Sequence, residues 1–201
     1  MIRAIVFDIG GVLIDNPWPQ MLSHYASRLN VSEWDLEKFL KESKLMNDWP
    51  KGVITESKFW REICNNLDCH LPTSESLWLD GFKLAYRKKP EVFKLIETLQ
   101  KRGFLIGLLS NTEQPVAEFL KRENFPDLDA FICSCDIGEI KPNPFIYEEM
   151  LKKLNLKPNE VVFIDDLKEN VEGAKKVGIQ AIQFTNTSNL RKELLNLCNI
   201  E

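Results

Sequence analysis

The residues best suited to chemistry stand at four places where an apolar run gives way to polar sequence. They are Asp8 after Ile5-Val6-Phe7, Ser110-Asn111 after Leu108-Leu109, Asp165-Asp166 after Phe163-Ile164 and, some residues beyond the apolar run at 130–134, Lys141 just after Asp136-Ile137-Gly138. Gathered together they would make three carboxylates, an ammonium, a hydroxyl and an amide. Two or three carboxylates are the usual protein share of a Mg²⁺ site whose other ligands are waters and a substrate phosphate. A lysine and backbone N–H groups opposite that ion would neutralise the rest of a phosphate's charge. Taken singly, each residue has a plainer reading, because Asp and Asn after a strand commonly cap turns and helices. The chemistry therefore depends on a fold that brings the four places together.

Residues 2–7, 104–109, 130–134, 161–164 and 179–184 are short apolar runs of strand type. Helical patterns are expected at 90–102, 113–122, 143–154 and 168–177, with proline near two starts and Gly103 and Gly178 after two ends. This alternation predicts an α/β fold, a Rossmann-like doubly wound parallel sheet of about five strands with helices on both faces. Ligands bind beyond the carboxyl ends of the strands in such sheets, which is where the four polar sets fall. Residues 16–88 break the rhythm. Helical stripes at 17–29, 32–45, 55–67 and 77–86, one opened by the capping spacing of Ser32 and Asp35, are too much sequence for a loop. They are expected to form a small helical cap (16–88) inserted after strand one, in a core built from 1–15 and 89–201. A last helix over 190–200 is expected to pack on that core.

The 201 residues are 44% hydrophobic and 28% charged, ordinary for a globular protein able to bury its own core. A net charge of −4 supplies no global field for nucleic acid or an anionic membrane, and no apolar run is long enough to span one. Asp8 comes too early for the apolar region of a signal peptide, so a cytoplasmic location is expected. The five cysteines fit reduced thiols. Cys133 and Cys135 lack the spacing of a zinc site, and His24 and His70 lie far from them in sequence.

Four segments resemble, in order, the motifs of the haloacid dehalogenase-like (HAD) hydrolases. They are Phe7-Asp8-Ile9-Gly10-Gly11-Val12-Leu13, Leu108-Leu109-Ser110-Asn111-Thr112, Ile137-Gly138-Glu139-Ile140-Lys141-Pro142-Asn143-Pro144, and Phe163-Ile164-Asp165-Asp166 with Glu169-Asn170-Val171 and Gly173-Ala174. The resemblance covers nearly the whole chain, insert included. It implies Mg²⁺-dependent phosphoryl transfer from a small phosphorylated metabolite through an aspartyl-phosphate. By position, Asp8 would be the nucleophile, Ser110 and the backbone at Asn111 would hold phosphate oxygens, and Lys141 would bridge phosphate and Asp8. Asp8, the Gly10 carbonyl and Asp166 would hold the metal, with Asp165 a ligand directly or through water. Asn170 would orient a metal-bound water. Plainer readings stand beside two of these, Ser110 as a strand end and Asn170 as a helix-surface residue.

The sequence departs from the family at Gly10, where most of its phosphatases carry a second aspartate that protonates the leaving alcohol and later activates water. General acid–base help is worth about 10²–10⁴-fold. Three outcomes are open: a leaving group that needs little protonation, such as that of a sugar 1-phosphate; a substitute such as Asp15 or water; or a weak or inactive protein that binds a ligand. Proteins similar to α-D-glucose-1-phosphate phosphatase, in the cap-bearing branch, share the Asp-x-Gly pattern and favour the first. A 2-haloacid dehalogenase fits less well, because displacement at carbon needs no metal and leaves Asp165-Asp166 unexplained. Substrate choice would lie in the cap, where Trp18, His24, Trp49 and Trp60 could line the cleft, although such aromatics more often form a core. A monomer or homodimer is expected, and neither nucleic acid nor membrane is expected as a partner.

Overall fold

The computed structural model of the protein describes residues 1–198. Its strands are β1 (Ala4–Phe7), β2 (Leu105–Ser110), β3 (Ala130–Cys133), β4 (Val161–Asp165) and β5 (Gln180–Gln183). They form one five-stranded parallel sheet in the order β3-β2-β1-β4-β5. Successive side chains of a strand face opposite sides, so each strand feeds two cores. Ile5 and Phe7 join Leu108 and Ile164 in one apolar cluster, while Ala4 and Val6 join Leu109 and Phe163 in another. Both faces are covered, which is why the strands read as unbroken apolar runs.

The insert holds α1 (Trp18–Leu29), α2 (Glu33–Glu42), α3 (Leu45–Asp48), α4 (Glu56–Leu67) and α5 (Leu77–Ala85). After it come α6 (Pro90–Lys101), α7 (Gln114–Arg122), α8 (Ser134–Ile137), α9 (Pro144–Leu154), α10 (Lys168–Lys176) and α11 (Thr187–Cys198). Helices α6, α7 and α11 add apolar residues to the first cluster, and α9 and α10 to the second. The sheet is doubly wound, as the alternation predicted. The chain leaves the sheet at Ile14 and returns at Lys88, which pair as an antiparallel bridge. Flanking it, the Asp15 N–H donates to the Arg87 carbonyl and the Lys89 N–H to the Leu13 carbonyl.

Two expectations need correction. The single helix at 32–45 is broken, because Ser43 is extended, its hydroxyl donating to the Leu40 carbonyl and accepting from the Leu45 N–H. A serine that bonds nearby backbone in this way competes with the helical ladder. The last helix starts at Thr187, earlier than expected, and residues 199–200 of that expectation lie outside the described residues. No helix among the described residues is long and apolar enough to cross a membrane.

Candidate active site

Phe7 pairs with Leu108 on one side and Ile164 on the other, so Asp8, Ser110 and Asp165 emerge side by side at one edge of the sheet. The strand order reverses between β1 and β4, and a crevice opens at that switch point. After Asp8 the chain makes one wide turn over Ile9–Leu13, with Gly11 at φ +75°. That turn presses on Asp166: a Cβ at position 11 would stand 2.2 Å from Asp166 Oδ2. The Lys89 ammonium donates to the Gly11 carbonyl at 2.5 Å and holds the turn from outside.

Lys141 stands at the centre of the charges. Its Nζ lies 2.8 Å from Asp8 Oδ1 and 2.6 Å from Asp165 Oδ2, and it donates to the Leu109 carbonyl at 3.0 Å. These three acceptors match the three protons of an ammonium. The Lys141 backbone exchanges hydrogen bonds with the side chain of Asn111, N–H to Oδ1 at 2.7 Å and Nδ2–H to the carbonyl at 3.0 Å. The Asn111 side chain therefore anchors Lys141, and its backbone is what remains for a ligand. Ser110 is buried at the end of β2 and lines the crevice.

Asp165 is fully buried and well bonded. Besides Lys141, its oxygens accept from the Leu167 N–H at 2.9 Å and from Asn170 Nδ2, which is 3.0 Å from both. Asn170 is thus buried beside the site rather than exposed on its helix, and its Oδ1 is buried without a partner among the described residues. Asp166 is half-buried and faces the crevice. One oxygen from each of Asp8, Asp165 and Asp166 lies within 4.8 Å of the others.

The electrostatics follow from this crowding. Burial, with Asp165 adding to it, pushes Asp8 up to about 7 although Lys141 pulls the other way. Burial and then Asp165 also raise Asp166. Burial works against a charged Lys141, but Asp8 and Asp165 outweigh it and raise its pKa. The three carboxylates crowd together while Lys141 bonds only Asp8 and Asp165, and the buried Asn170 Oδ1 nearby has no donor among the described residues. A divalent cation with its bound water suits that donor set.

The crevice opens into a pocket of about 420 Å³, roofed by Trp18, Met21, Met46, Trp78 and Phe82 from the insert. Of the four cap residues singled out by sequence, Trp18 lines it. Trp49 and Trp60 are buried in the aromatic core of the insert against Phe59, and His24 lies outside the pocket lining. Asp15 is exposed and lies outside the pocket lining. Gly10 lines it with unstrained backbone (φ −66°, ψ 131°), and a Cβ there would meet only Pro17 Cδ, at 3.9 Å. Sequence reasoning missed Lys89, Trp78 and Glu113. The last lies directly after Ser110-Asn111-Thr112, and a charged residue so close to a site residue was the available signal.

The model of the haloacid dehalogenase-like hydrolase family matches residues 2–178. D-ribitol-5-phosphate phosphatase of Bacteroides thetaiotaomicron is 26% identical over 212 residues, 99% of this chain and 100% of its own. (S)-2-haloacid dehalogenase 4A of Burkholderia cepacia is 25% identical over 198 residues, 94% of this chain and 85% of its own. Other curated relatives are much longer, and the chain spans 19% and 39% of two of them. A predicted HAD-like family hydrolase from Porphyromonas gingivalis has the same fold, with a TM-score of 0.79 and 27% identity over the whole of both chains. A HAD family enzyme of Bacteroides thetaiotaomicron, solved with magnesium and inorganic phosphate, shares the fold at a TM-score of 0.77 and 20% identity, over 94% of this chain and 99% of that one. On the family match and the fold together, the chain is a hydrolase and belongs to the haloacid dehalogenase-like hydrolases.

Proposed function

We propose that this hydrolase is a Mg²⁺-dependent phosphatase that moves the phosphoryl group of a small phosphorylated metabolite onto Asp8 and then onto water. The observation that carries this reading is the crowding of one oxygen each from Asp8, Asp165 and Asp166, of which Lys141 bonds only the first two. Mg²⁺ held by Asp8, the Gly10 carbonyl and Asp166 would offset the repulsion between an anionic nucleophile and an anionic phosphate. Asp165, with its oxygens bonded by Lys141, Asn170 and the Leu167 N–H, serves by fixing Lys141. Asn170 Oδ1 is free to accept from a water. The ribitol phosphate phosphatase relative, similar along the whole chain, supports a phosphoric monoester as substrate.

Lys141 grips Asp8 Oδ1, which sets the carboxylate and turns its other oxygen to attack phosphorus. As the Asp8–phosphorus bond forms, the bond from phosphorus to the alcohol oxygen breaks. That oxygen takes a proton from water, because Gly10 offers none. The Ser110 hydroxyl and the backbone after it hold phosphate oxygens meanwhile. Water then attacks phosphorus, releasing inorganic phosphate and restoring Asp8. Asp8→Asn is expected to cut Mg²⁺-dependent phosphate release from 4-nitrophenyl phosphate by about a thousandfold or more, as removal of a nucleophile does. Chelator is expected to abolish the wild-type rate. If wild type and Asp8→Asn are equally silent on aryl, sugar and acyl phosphates, the protein is a ligand-binding member of the family instead.

A further inference from the structure

Beneath the insert the pocket holds a carboxylate that the phosphoryl chemistry does not use. Glu113 precedes α7, is only 9% exposed, and lines the same pocket as Asp8 and Lys141. Its Oε2 accepts from Trp78 Nε1 at 2.8 Å. No ion pair reaches it among the described residues, and Lys141, the one cationic side chain lining the pocket there, is committed to Asp8 and Asp165. Burial pushes Glu113 up to about 7, with Glu56 adding to the rise and the Trp78 bond opposing it. The walls beside it are aromatic and thioether: Trp18 and Trp78, with ring centroids 6.4 Å apart and tilted by 44°, and Phe82, Met21 and Met46.

A cation is drawn to the faces of tryptophan rings, and more strongly where water is excluded. A buried carboxylate without a countercharge is relieved by a ligand that brings one. We propose that the pocket takes phosphomonoesters of amino alcohols, with the phosphoryl group at Asp8 and the ammonium against the half-buried Trp18 ring and the Glu113 carboxylate. This rests on the phosphatase reading and names its substrate class. A polyol chain would meet mostly apolar wall, with Asn16, Thr112 and Glu113 as the polar groups away from the phosphoryl machinery. Gly10 fits the same class. A β-ammonium withdraws electrons from the ester oxygen, so the alkoxide departs more readily without a general acid. The phosphorus–oxygen bond breaks, the oxygen takes a proton from water, and the amino alcohol leaves with its ammonium unchanged.

The test compares phosphate release from O-phosphoethanolamine and phosphocholine with release from propyl phosphate, the uncharged isostere of the first, and from D-ribitol 5-phosphate. Wild type is expected to show kcat/KM at least tenfold higher for the ammonium esters than for propyl phosphate, carried mainly by KM. In Glu113→Gln, whose amide oxygen can still accept from Trp78, the KM advantage of the ammonium esters over propyl phosphate is expected to be lost, while the leaving-group advantage in kcat remains. If 4-nitrophenyl phosphate is hydrolysed but wild type shows no such ratio, favours ribitol 5-phosphate, or keeps the KM difference in Glu113→Gln, the substrate class is wrong and the phosphatase reading survives. If no ester is turned over, the phosphatase reading fails, and calorimetry on the Mg²⁺-loaded protein decides the pocket's ligand. Binding of phosphocholine over propyl phosphate that disappears in Glu113→Gln supports the cation subsite; equal binding overturns it.

Discussion

Lys141 bonds Asp8 and Asp165 through one ammonium, so the charge state of Asp8 sets how much the site needs a metal. Asp8 without metal titrates at about 7, above its ordinary 3.8. A raised carboxyl favours the protonated folded state, so its contribution to stability is complete below pH 3.8 and is lost as pH rises through about 7. Mg²⁺ needs the ionised form and gains affinity over that upper range. The rise in Tm on adding Mg²⁺ is expected to be larger at pH 8 than at pH 5.5, and that difference should shrink in Asp8→Asn, the remainder belonging to Asp166, whose carboxyl is raised as well. Glu113 is raised in the same direction, but comparing samples with and without Mg²⁺ removes its share. A shift of equal size at both pH values would show that Asp8 is not a metal ligand. Gly10 offers a complementary test, because its backbone is unstrained and the space in front of it is open. Gly10→Asp is expected to speed alkyl phosphates relative to aryl phosphates by about ten- to a hundredfold, part of the usual gain from a positioned acid. Steady-state rates on propyl and 4-nitrophenyl phosphate check it, and equal effects on both would mean that position 10 holds no acid role. Asn170 came only from the family resemblance, whereas Asp8, Ser110, Lys141 and Asp165-Asp166 were singled out in sequence by type and by place beyond an expected strand. Glu113 and Trp78 were not, because they matter only once the insert lies over the sheet edge.

Elements were legible where hydrophobic period and punctuation agree, as in α6 between Pro90 and Gly103. They were not where a side chain overrules the period, as Ser43 does between α2 and α3. The wide turn over Ile9–Leu13 left no periodic signal at all, yet it shapes the site by pressing Gly11 against Asp166. Close approach of elements is likewise hidden from sequence. Helices α1 and α5 meet where Gly81 faces the Tyr25 ring, and a Cβ at position 81 would stand 2.4 Å from Tyr25 Cε1. Tyr25 is held there by its hydroxyl, which donates to the Trp78 carbonyl at 2.9 Å, and by stacking on the Trp78 ring. Alanine is the better helix former by about 1 kcal/mol, so propensity alone predicts that Gly81→Ala stabilises. Overpacking of a full core commonly costs about 1–3 kcal/mol, and here the clashing ring is pinned. Gly81→Ala is therefore expected to lower stability in urea. A stabilised variant would show that α1 and α5 can separate at little cost.

The same packing decides how the whole molecule unfolds. The insert was read from sequence as a cap, a unit set apart from the core by chain position. In space its aromatic centre of Tyr25, Trp49, Phe59 and Trp78 belongs to one continuous apolar cluster with Phe7 and Ile164 of the sheet and Leu120 of α7. Polar links add to it: Trp78 to Glu113, the Ser134 hydroxyl to the Pro50 carbonyl, and Lys51 to Glu139 at 3.1 Å. The apolar contact matters most, because exposing a shared cluster costs both sides at once, whereas an exposed ion pair contributes about 1 kcal/mol or less. A unit that shares its core with its neighbour should not melt alone. The sequence supplies a clean probe, since all five tryptophans (Trp18, Trp34, Trp49, Trp60 and Trp78) lie between residues 16 and 88. Tryptophan fluorescence therefore reports the insert, and far-UV circular dichroism reports the whole chain. In urea the two transitions are expected to coincide in midpoint and slope, as for a two-state protein. A fluorescence transition at clearly lower urea would mean that the insert opens as a separate unit while the sheet, with Asp8 and Lys141 in place, remains folded.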